Sequence, residues 1–511
     1  MNPDLSLDLA ALDLGAPAAE RDIQRGLEHY FVESEAFKRV SDRTKTIILG
    51  NRGSGKSAIF KMLAARERRI RHVHVVELAP EDYSYELLRE TMLREAEGSW
   101  AKLGAYAVAW KYLIYVMVMK SVAQDMPKSM SKGPAGKVLR YVRDNHAHGQ
   151  HSKLSALVSY LKRLEGIKIG PYEAGLRAKE LERLYRLEEI HHLLPALQEI
   201  LVKEKVIVLV DELDRGWDAS EDAKAFVAGL FQACMSINEL SPRLTVYMSL
   251  RQELYDNIPS LYEDAQKYRD MIEVLNWNES GLQQLIARRV RHSLEDRKVS
   301  EAYVRSLTDD GLWGLLFQET LDYRKSKSFG YMIDRTLYRP RELIQLCQQA
   351  IDSARGSDTP APLGYAVLSE AERRYSEERA KDIAAEYRFE YPNLLEVFEV
   401  FRGHSYHFDR EELELLCLEL VLDEKIKNPE TLKWLEHLDP SAIIDVLWRV
   451  GFLRARAVGG IKAQRRSGSS YLGPHQVSNL SIATITQFQV HPMFRSYLGM
   501  KEPKGTSTRA R

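Results

Sequence analysis

Three features of the sequence predict a parallel α/β sheet followed by a helical domain and a terminal helix–hairpin domain. The first is an apolar run, TIIL at 46–49, that leads into a glycine-rich turn. The second is a longer run, KVIVLV at 205–210, that leads into Asp211 and Glu212. Continuous apolar runs of this length suit strands buried on both faces, the usual condition of a parallel sheet. The third is the change of pattern after residue 391, where helical periodicity gives way to alternating segments.

The elements follow in order. Residues 1–20 read as a flexible N-terminal arm. The text DIQRGLEHYFVESEAF at 22–37 predicts a helix and then a turn. After the first strand a helix is expected from Lys56 to Arg66. HVHVVEL at 72–78 is the next strand, by its β-branched content and alternation. Residues 81–200 read as a helical insert, broken by a loop, PKSMSKGPAGK, at 127–137. The strand at 205–210 is followed by a helix over 219–239, a strand LTVYMSL at 244–250 and a strand MIEVLNW at 271–277. This closes a core domain over 21–277. Residues 278–388 are expected to form a helical lid. In 389–500 the helices LLEVFEVF, REELELLCLELV and PSAIIDVLWRVG precede the alternating segments FLRARAV and SIATITQFQV. Three helices before a β-hairpin is the order of a winged-helix domain. A tail over 501–511 completes the chain.

Composition sets bounds on this picture. Hydrophobic residues make up 44% of the 511 and charged residues 29%, enough apolar surface to rule out a wholly disordered chain. Lys+Arg and Asp+Glu are 73 each, which argues against a protein coated in basic residues. Cys234, Cys347 and Cys417 lie far apart with no CxxC pair, as expected of a reducing cytosol. The N-terminus has Asp4 and Asp8 and no basic region, so a secretory signal is not expected. These features place the protein in the cytoplasm. The stretch GAYAVAWKYLIYVMVM at 104–119 tests the membrane question. Lys111 interrupts it, and what remains is shorter than the roughly 20 apolar residues of a spanning helix. A buried helix is the expectation.

The chemistry concentrates in one motif. Gly50-Asn51-Arg52-Gly53-Ser54-Gly55-Lys56-Ser57, with Ala58 behind it, matches G-x-x-x-x-G-K-[ST] between a strand and a helix. Glycines let successive backbone N–H groups converge on phosphate oxygens, and a helix N-terminus adds positive potential. This phosphate-binding loop, or P-loop, predicts ATP as ligand. Lys56 would reach its β- and γ-phosphates, and the Ser57 hydroxyl would ligate Mg²⁺. Asp211 supplies the second metal contact and Glu212 the group that orients or deprotonates water. Asp214 and Arg215 read equally as site residues or as a local ion pair. Ser249 and Arg251, at the end of LTVYMSLR, are candidates for contact with the γ-phosphate. Arg341 in YRPRELI at 338–344 is a candidate nucleotide contact from a helix that opens on Pro340. Arg243 and Arg269 read as arginine fingers acting in trans or as surface charges.

The order of these parts, with WNxxxLxxLIxxR at 277–289, resembles AAA+/STAND-type P-loop ATPases of bacteria, near the origin-recognition and KAP-type groups. FVESEAFKRVSDRTKTIILGNRGSGKSAIFKML at 31–63, VLVDELDRGWD at 208–218 and QVHPMFRSYLG at 489–499 resemble an orphan family of that kind. The resemblance implies an additional strand between the P-loop strand and the acidic strand. It implies turnover of ATP with Mg²⁺, a homo-oligomer that completes its site in trans, and an association with mobile elements and anti-phage defence. An ATP-gated DNA-binding regulator with little turnover is the alternative. KAP-type relatives carry membrane segments where the insert lies, so a membrane-contacting insert is a further reading. No nuclease, protease or TIR-like signature is read, so an effector would be a separate protein.

Two weaker signals remain. His146, His148 and His151 are metal-ligand types in a stretch without cysteines nearby, and a plain solvated loop is the expectation. Beside them Lys128, Lys132, Lys137, Arg140 and Arg143 form a modest basic patch. From 446 to 501 there is no Asp or Glu, whereas 409–445 is acid-rich. Arg454, Arg456, Lys462, Arg465 and Arg466 around the expected wing could follow a DNA backbone. A wing used for protein contact stands equally.

Overall fold

The computed structural model describes residues 8–79, 99–124, 133–146, 188–213, 217–262, 267–295, 301–422, 425–456, 470–477 and 480–502. They divide into two compact units.

One unit takes Glu33–Asn51 and Gly55–Leu275. Its centre is a parallel sheet of five strands: β1 (Ile47–Leu49), β2 (Val73–Leu78), β3 (Lys205–Val210), β4 (Leu244–Leu250) and β5 (Ile272–Val274). Their spatial order is β2-β3-β4-β1-β5. The strand order therefore includes the additional strand, β4, between the P-loop strand and the acidic strand. All residues of β1 and β4 are buried, as are all but the first of β3, which accounts for their uninterrupted apolar text. Register is set by pairs such as Ile48 with Ser249 and Val208 with Val246. The edge strand β5 is tied in by a bidentate ion pair, Arg39 to Glu273 at 2.6 and 2.8 Å.

The apolar stretch at 104–119 lies in the helix Ser99–Gln124. Tyr106, Trp110, Leu113, Ile114 and Val118 join the core of the sheet, and the Trp110 indole N–H donates to the Phe226 carbonyl at 3.1 Å. Among the described residues no helix is long and apolar enough to cross a membrane. Most of the insert lies outside the described residues, including His148, His151, Lys128 and Lys132. The loop expected over 127–137 is shorter than predicted, because the helix Gly133–His146 has already begun.

The other unit takes Met1–Val32, Arg52–Ser54 and Asn276–Arg511. Its helices include Glu279–Glu295, Asp309–Leu316, Ser328–Ile333, Pro340–Gly356 and Tyr365–Glu386. Beyond these lie Leu394–Val400, β6 (His407–Asp409), Arg410–Leu422, Pro440–Arg449, β7 (Leu453–Arg456), β8 (Tyr471–Leu472) and β9 (Gln487–Val490). The four strands form an antiparallel sheet in the order β6-β9-β7-β8. With four helices before its hairpin, the fourth being Pro429–Leu435 between Arg410–Leu422 and Pro440–Arg449, this region is consistent with a winged-helix-like module. Its core is aromatic: Phe398 stacks on Phe452 at 4.4 Å, and Phe494 lies 5.1 Å from Phe452. That core is continuous with the helices before it. The buried Ser376 hydroxyl donates to the Met493 carbonyl at 2.6 Å and accepts from the Tyr497 N–H at 3.0 Å.

Two expectations at the N-terminus need correction. From residue 8 onward the arm is packed, with Leu9, Leu12 and Leu14 buried in the same core as the Glu279–Glu295 helix. Its carbonyls are held by arginines: Arg355 takes Leu9 and Leu12, and Arg289 takes Leu14. The text at 22–37 is also not one helix. Gly26 sits at φ +92° and Phe31 is extended, so the chain breaks into short turns before the helix Glu35–Ser41. Residues 21–32 consequently cluster with the helical unit and not with the sheet.

The tie that holds this segment is a buried ion pair. Arg289 Nη2 lies 2.7 Å from Asp22 Oδ2, with Asp22 1% exposed. Asp22 also accepts from the Tyr30 hydroxyl at 2.8 Å and from the Ala16 N–H. Burial and the neighbouring Asp22 carboxylate push the Tyr30 phenol well above its ordinary value. Breaking such a pair strands the remaining charge, at a cost of about 3–5 kcal/mol. Asp22→Ala should lower stability by that amount, read as a shift of the urea midpoint in the full chain. An unchanged midpoint would refute the role given to this pair.

Candidate nucleotide-binding site

The P-loop is built as its composition requires. β1 delivers the chain to the buried Gly50, and the helix Lys56–Glu67 starts immediately after the turn. Gly55 is the N-cap at φ +103°, and a Cβ there would meet nothing within 4 Å, so the loop leaves open space beside it. Gly53 also lies at positive φ, +80°. Left-handed backbone costs a residue with a Cβ roughly 1–2 kcal/mol, which explains glycine at both positions. Ser57 and Ala58 occupy the first helical turn, whose N–H groups have no partners within the helix. The Lys56 ammonium donates to the carbonyls of Gly50 at 2.6 Å and Asn51 at 3.1 Å, which holds it over the loop. Arg52 is exposed, and Asn51 is half-buried.

Asp211 and Ser249 emerge at the same edge of the sheet, because β3 and β4 run parallel and in register. The Ser249 hydroxyl, 2% exposed, donates to Asp211 Oδ1. Glu212 follows at φ +58°, so the chain turns sharply out of β3 at the residue expected to act on water. Strained backbone of this kind costs roughly 1–3 kcal/mol and persists only where the surroundings hold it. Asp214 and Arg215 lie outside the described residues. Of the two candidates at the end of β4, only Ser249 is bonded to Asp211. Arg251 is held by Glu253, with Arg251 Nη1 3.7 Å from its carboxylate.

The RPRE text divides its labour. Arg339 is the N-cap residue of the helix Pro340–Gly356, is buried, and pairs with Glu386 at 2.7 Å and Glu342 at 3.6 Å. Arg341 stands in the first turn, as expected from Pro340 at the helix start. Its N–H donates to the Gly53 carbonyl at 3.4 Å, and a Cβ on Gly53 would lie 3.0 Å from Arg341 Cβ. The Trp277 indole N–H donates to the Ser54 carbonyl at 2.8 Å. That role of Trp277 was not read from the sequence, although it opens the WNxxxL text. Tyr338, at φ +58°, donates from its hydroxyl to Glu279 at 3.0 Å.

The residues present fit a nucleotide with a hard divalent cation. The Ser54 hydroxyl is buried at 4% exposure with no hydrogen-bond partner among the described residues. The loop supplies amides at a helix N-terminus, and Ser57 and Asp211 are oxygen donors of the kind Mg²⁺ prefers. Among the described residues no cluster of three His, Cys, Asp or Glu side chains could hold a metal by itself. Arg243 and Arg269 are exposed and precede β4 and β5, at the sheet edge opposite Gly50, Asp211 and Ser249. The three thiols are buried, and burial pushes the Cys417 thiol up to about 12.

The nucleic-acid candidates fare differently. Arg454 is 1% exposed and bonded to the Asp334 carbonyl at 2.8 Å and to its carboxylate at 3.3 Å, so it is a structural cation and not a surface contact. Arg456 is exposed and donates to Gln487. Lys462, Arg465 and Arg466 lie outside the described residues. Arg449, on the helix before β7, pairs with Asp445 at 2.6 Å.

Comparison with known proteins agrees with this geometry. A family model described as ORC-CDC6-like matches residues 19–85, and one described as a FunZ-associated C-terminal helical domain matches 280–384. The P-loop segment is therefore similar to that of ORC/Cdc6-like P-loop proteins. It is also distantly similar to the 80.3 kDa protein of transposon gamma-delta from Escherichia coli (strain K12). The identity is 22% over 515 residues, which spans 97% of this chain and 68% of that protein. A solved structure of the Aeropyrum pernix ORC1 protein in complex with DNA covers 91% of this chain and 92% of its own at 13% identity. Its TM-score is 0.30, a likeness too loose to match residue to residue.

The close approach at Gly53 makes a direct prediction. Gly53→Ala should weaken nucleotide binding about tenfold, from the backbone cost alone. Titration with a fluorescent ATP analogue measures it, and unaltered affinity would contradict the loop geometry.

Proposed function

We propose that this protein is a Mg²⁺-dependent ATPase of the AAA+/STAND kind that works as a switch acting on DNA. The hydrogen bond from Ser249 to Asp211 carries the reading, because it joins the polar end of the additional strand to the acidic strand beside the P-loop strand. Such a pairing would hold both polar groups toward one ligand. In this reading Gly50–Ser57 binds the triphosphate. Lys56 leaves the loop carbonyls for phosphate oxygens of higher charge. Ser57 and Asp211 would hold Mg²⁺, which neutralises charge on the phosphates. Ser249 keeps the Asp211 carboxylate turned toward the loop. Glu212 orients the attacking water and takes its proton. Arg341 would sense the γ-phosphate.

DNA as the target is supported by the ORC-CDC6-like match and by the basic segment after 446, in which Arg456 is exposed. A homo-oligomer is supported by the exposed Arg243 and Arg269, which precede β4 and β5 and would serve as arginine fingers in trans. The transposon-named relative supports a mobile-element setting. A role in anti-phage defence, with a separate effector protein, rests on the resemblance of 31–63 and 208–218.

Steady-state ATP hydrolysis, with and without duplex DNA, tests this function. Glu212→Gln should lower kcat at least about 10²-fold while ATP still binds, as expected on loss of a general base. Lys56→Ala should abolish binding. Turnover that rises with DNA supports the switch, and turnover indifferent to DNA moves the target to a protein. Full activity in Glu212→Gln would sink the base assignment. Absence of turnover in every form would favour the nucleotide-gated regulator.

Ser249→Ala offers a finer test. It should reduce kcat about tenfold with little change in KM, since it frees Asp211 without touching the loop. Equal losses in both parameters would instead assign Ser249 to binding.

A further inference from the structure

The closing segment QVHPMFRSYLG has no part in the ATPase reading, yet it builds a distinctive cluster. Arg495 lies with its guanidinium 3.9 Å from the centre of the Tyr406 ring. It donates to the Val490 carbonyl at 2.8 Å and to the Gln489 side chain at 3.1 Å. Arg454 approaches from β7, paired with Asp334 and donating to the buried His491 ring at 2.9 Å. Arg335 sits 3.4 Å from the Tyr331 ring and pairs with Glu372. Arg324 lies over the Tyr323 ring, interacts with Tyr406 and pairs with Glu502.

The charges do not balance. Glu502, Glu372 and Asp334 answer Arg324, Arg335 and Arg454. Among the described residues no carboxylate lies within ion-pair distance of Arg495. Its two polar partners are neutral acceptors. Burial, with the Arg454 and Arg335 charges beside it, pulls the Arg495 guanidinium well below its ordinary value. The half-buried His407, on the neighbouring strand β6, is lowered by burial and by the Arg495 charge. Arg495 thus sits among Arg454 and Arg335 with only the more distant Asp334 opposing them. A half-buried cation without a carboxylate partner gains from an anion placed beside it. The cluster is reachable, because Arg495 is partly exposed and the Arg324 side chain is 56% exposed. Arg456, exposed and two residues from Arg454 on β7, extends the same polar sheet face.

We propose that Arg495 and Arg324, backed by Arg335 and Arg454 and flanked by the Tyr406 and Tyr323 rings, form a binding subsite for a phosphate group. Guanidinium forks match phosphate oxygens bidentately, which a point charge does not do. The aromatic rings hold the two guanidinium groups in place, with Arg495 over Tyr406 and Arg324 over Tyr323. The phosphate comes either from a nucleic-acid backbone or from a free phosphate compound. This inference uses none of the P-loop residues.

The test uses the full chain carrying Lys56→Ala, so that phosphate binding at the P-loop is removed and failure of the ATPase reading does not bear on the result. Pyrophosphate at about 10 mM, against chloride of equal ionic strength, should raise the unfolding midpoint by about 2–4 °C. Arg495→Met and Arg324→Ala should each abolish that rise. The exposed Arg324 keeps the test decisive if Arg495→Met fails to fold. Duplex and single-stranded DNA binding is measured across salt in parallel. A salt slope lower by about one in Arg324→Ala assigns the phosphate to a nucleic-acid backbone. Loss of the pyrophosphate rise with an unchanged slope assigns it to a free phosphate compound. No difference between parent and variants in either measurement overturns the proposal.

Discussion

The parallel register of β1, β4 and β3 is the constraint on which the site depends. Parallel strands end at a common edge, so whatever follows each strand is delivered to one place. Here that is a glycine loop after Leu49, an acidic pair after Val210 and Ser249 one residue before the end of β4. A slip of one residue would turn Ser249 to the other face of the sheet. Its bond to Asp211 would be lost, and a buried hydroxyl would be left unpaired. The apolar text of these strands therefore does more than fill a core. Burial on both faces fixes the register, and the register sets the geometry of the acid.

Arginine has a second, structural task in this chain. Arg289 with Asp22, Arg339 with Glu386 and Arg454 with Asp334 are pairs between residues far apart in sequence, and each arginine is almost wholly buried. Such pairs add little net stability over apolar contacts, since desolvation offsets their attraction. What they do is penalise misplacement, because either partner alone is a stranded charge. They lie where irregular segments must be held: the N-terminal turns, the start of the Pro340–Gly356 helix, and the junction of the hairpin with Asp334. Zero net charge at the level of the whole chain conceals this use entirely.

Much of the sheet and the helical order was legible because the signals were local. KVIVLV and LTVYMSL coincide with β3 and β4, since burial on both faces leaves little that is polar in the text. The P-loop was legible for the same reason: its glycines answer a purely local backbone demand. The rest depended on distant partners. Arg454 and Arg456 alternate with apolar residues in FLRARAV, so the pattern puts both on one polar face. Distant partners, Asp334 and His491, hold Arg454 in the interior while Arg456 stays exposed. The N-terminal arm was misread because its leucines have no periodic helix around them, and the core that buries them belongs to residues beyond 279. β6 and β8 span three and two residues, too few for alternation to register.

The helices after Asn276 and the winged-helix-like module share one core, and this bears on how any signal from the nucleotide would travel. Arg341 begins the Pro340–Gly356 helix, and Arg339 beside it is locked to Glu386 at the far end of the Tyr365–Glu386 helix. That helix carries Ser376, bonded to both Met493 and Tyr497 of the closing segment. Ser376 is fully buried and Met493 sits in the aromatic core. Close-packed interiors transmit displacement because they have no slack to absorb it. A rotation of the Pro340–Gly356 helix must therefore carry the hairpin along or break buried ion pairs. The second course strands charges at several kcal/mol each, so the first is the softer motion. No flexible linker is needed between the residue that would read the phosphate and the strands that carry Arg456. The lever is the unit itself.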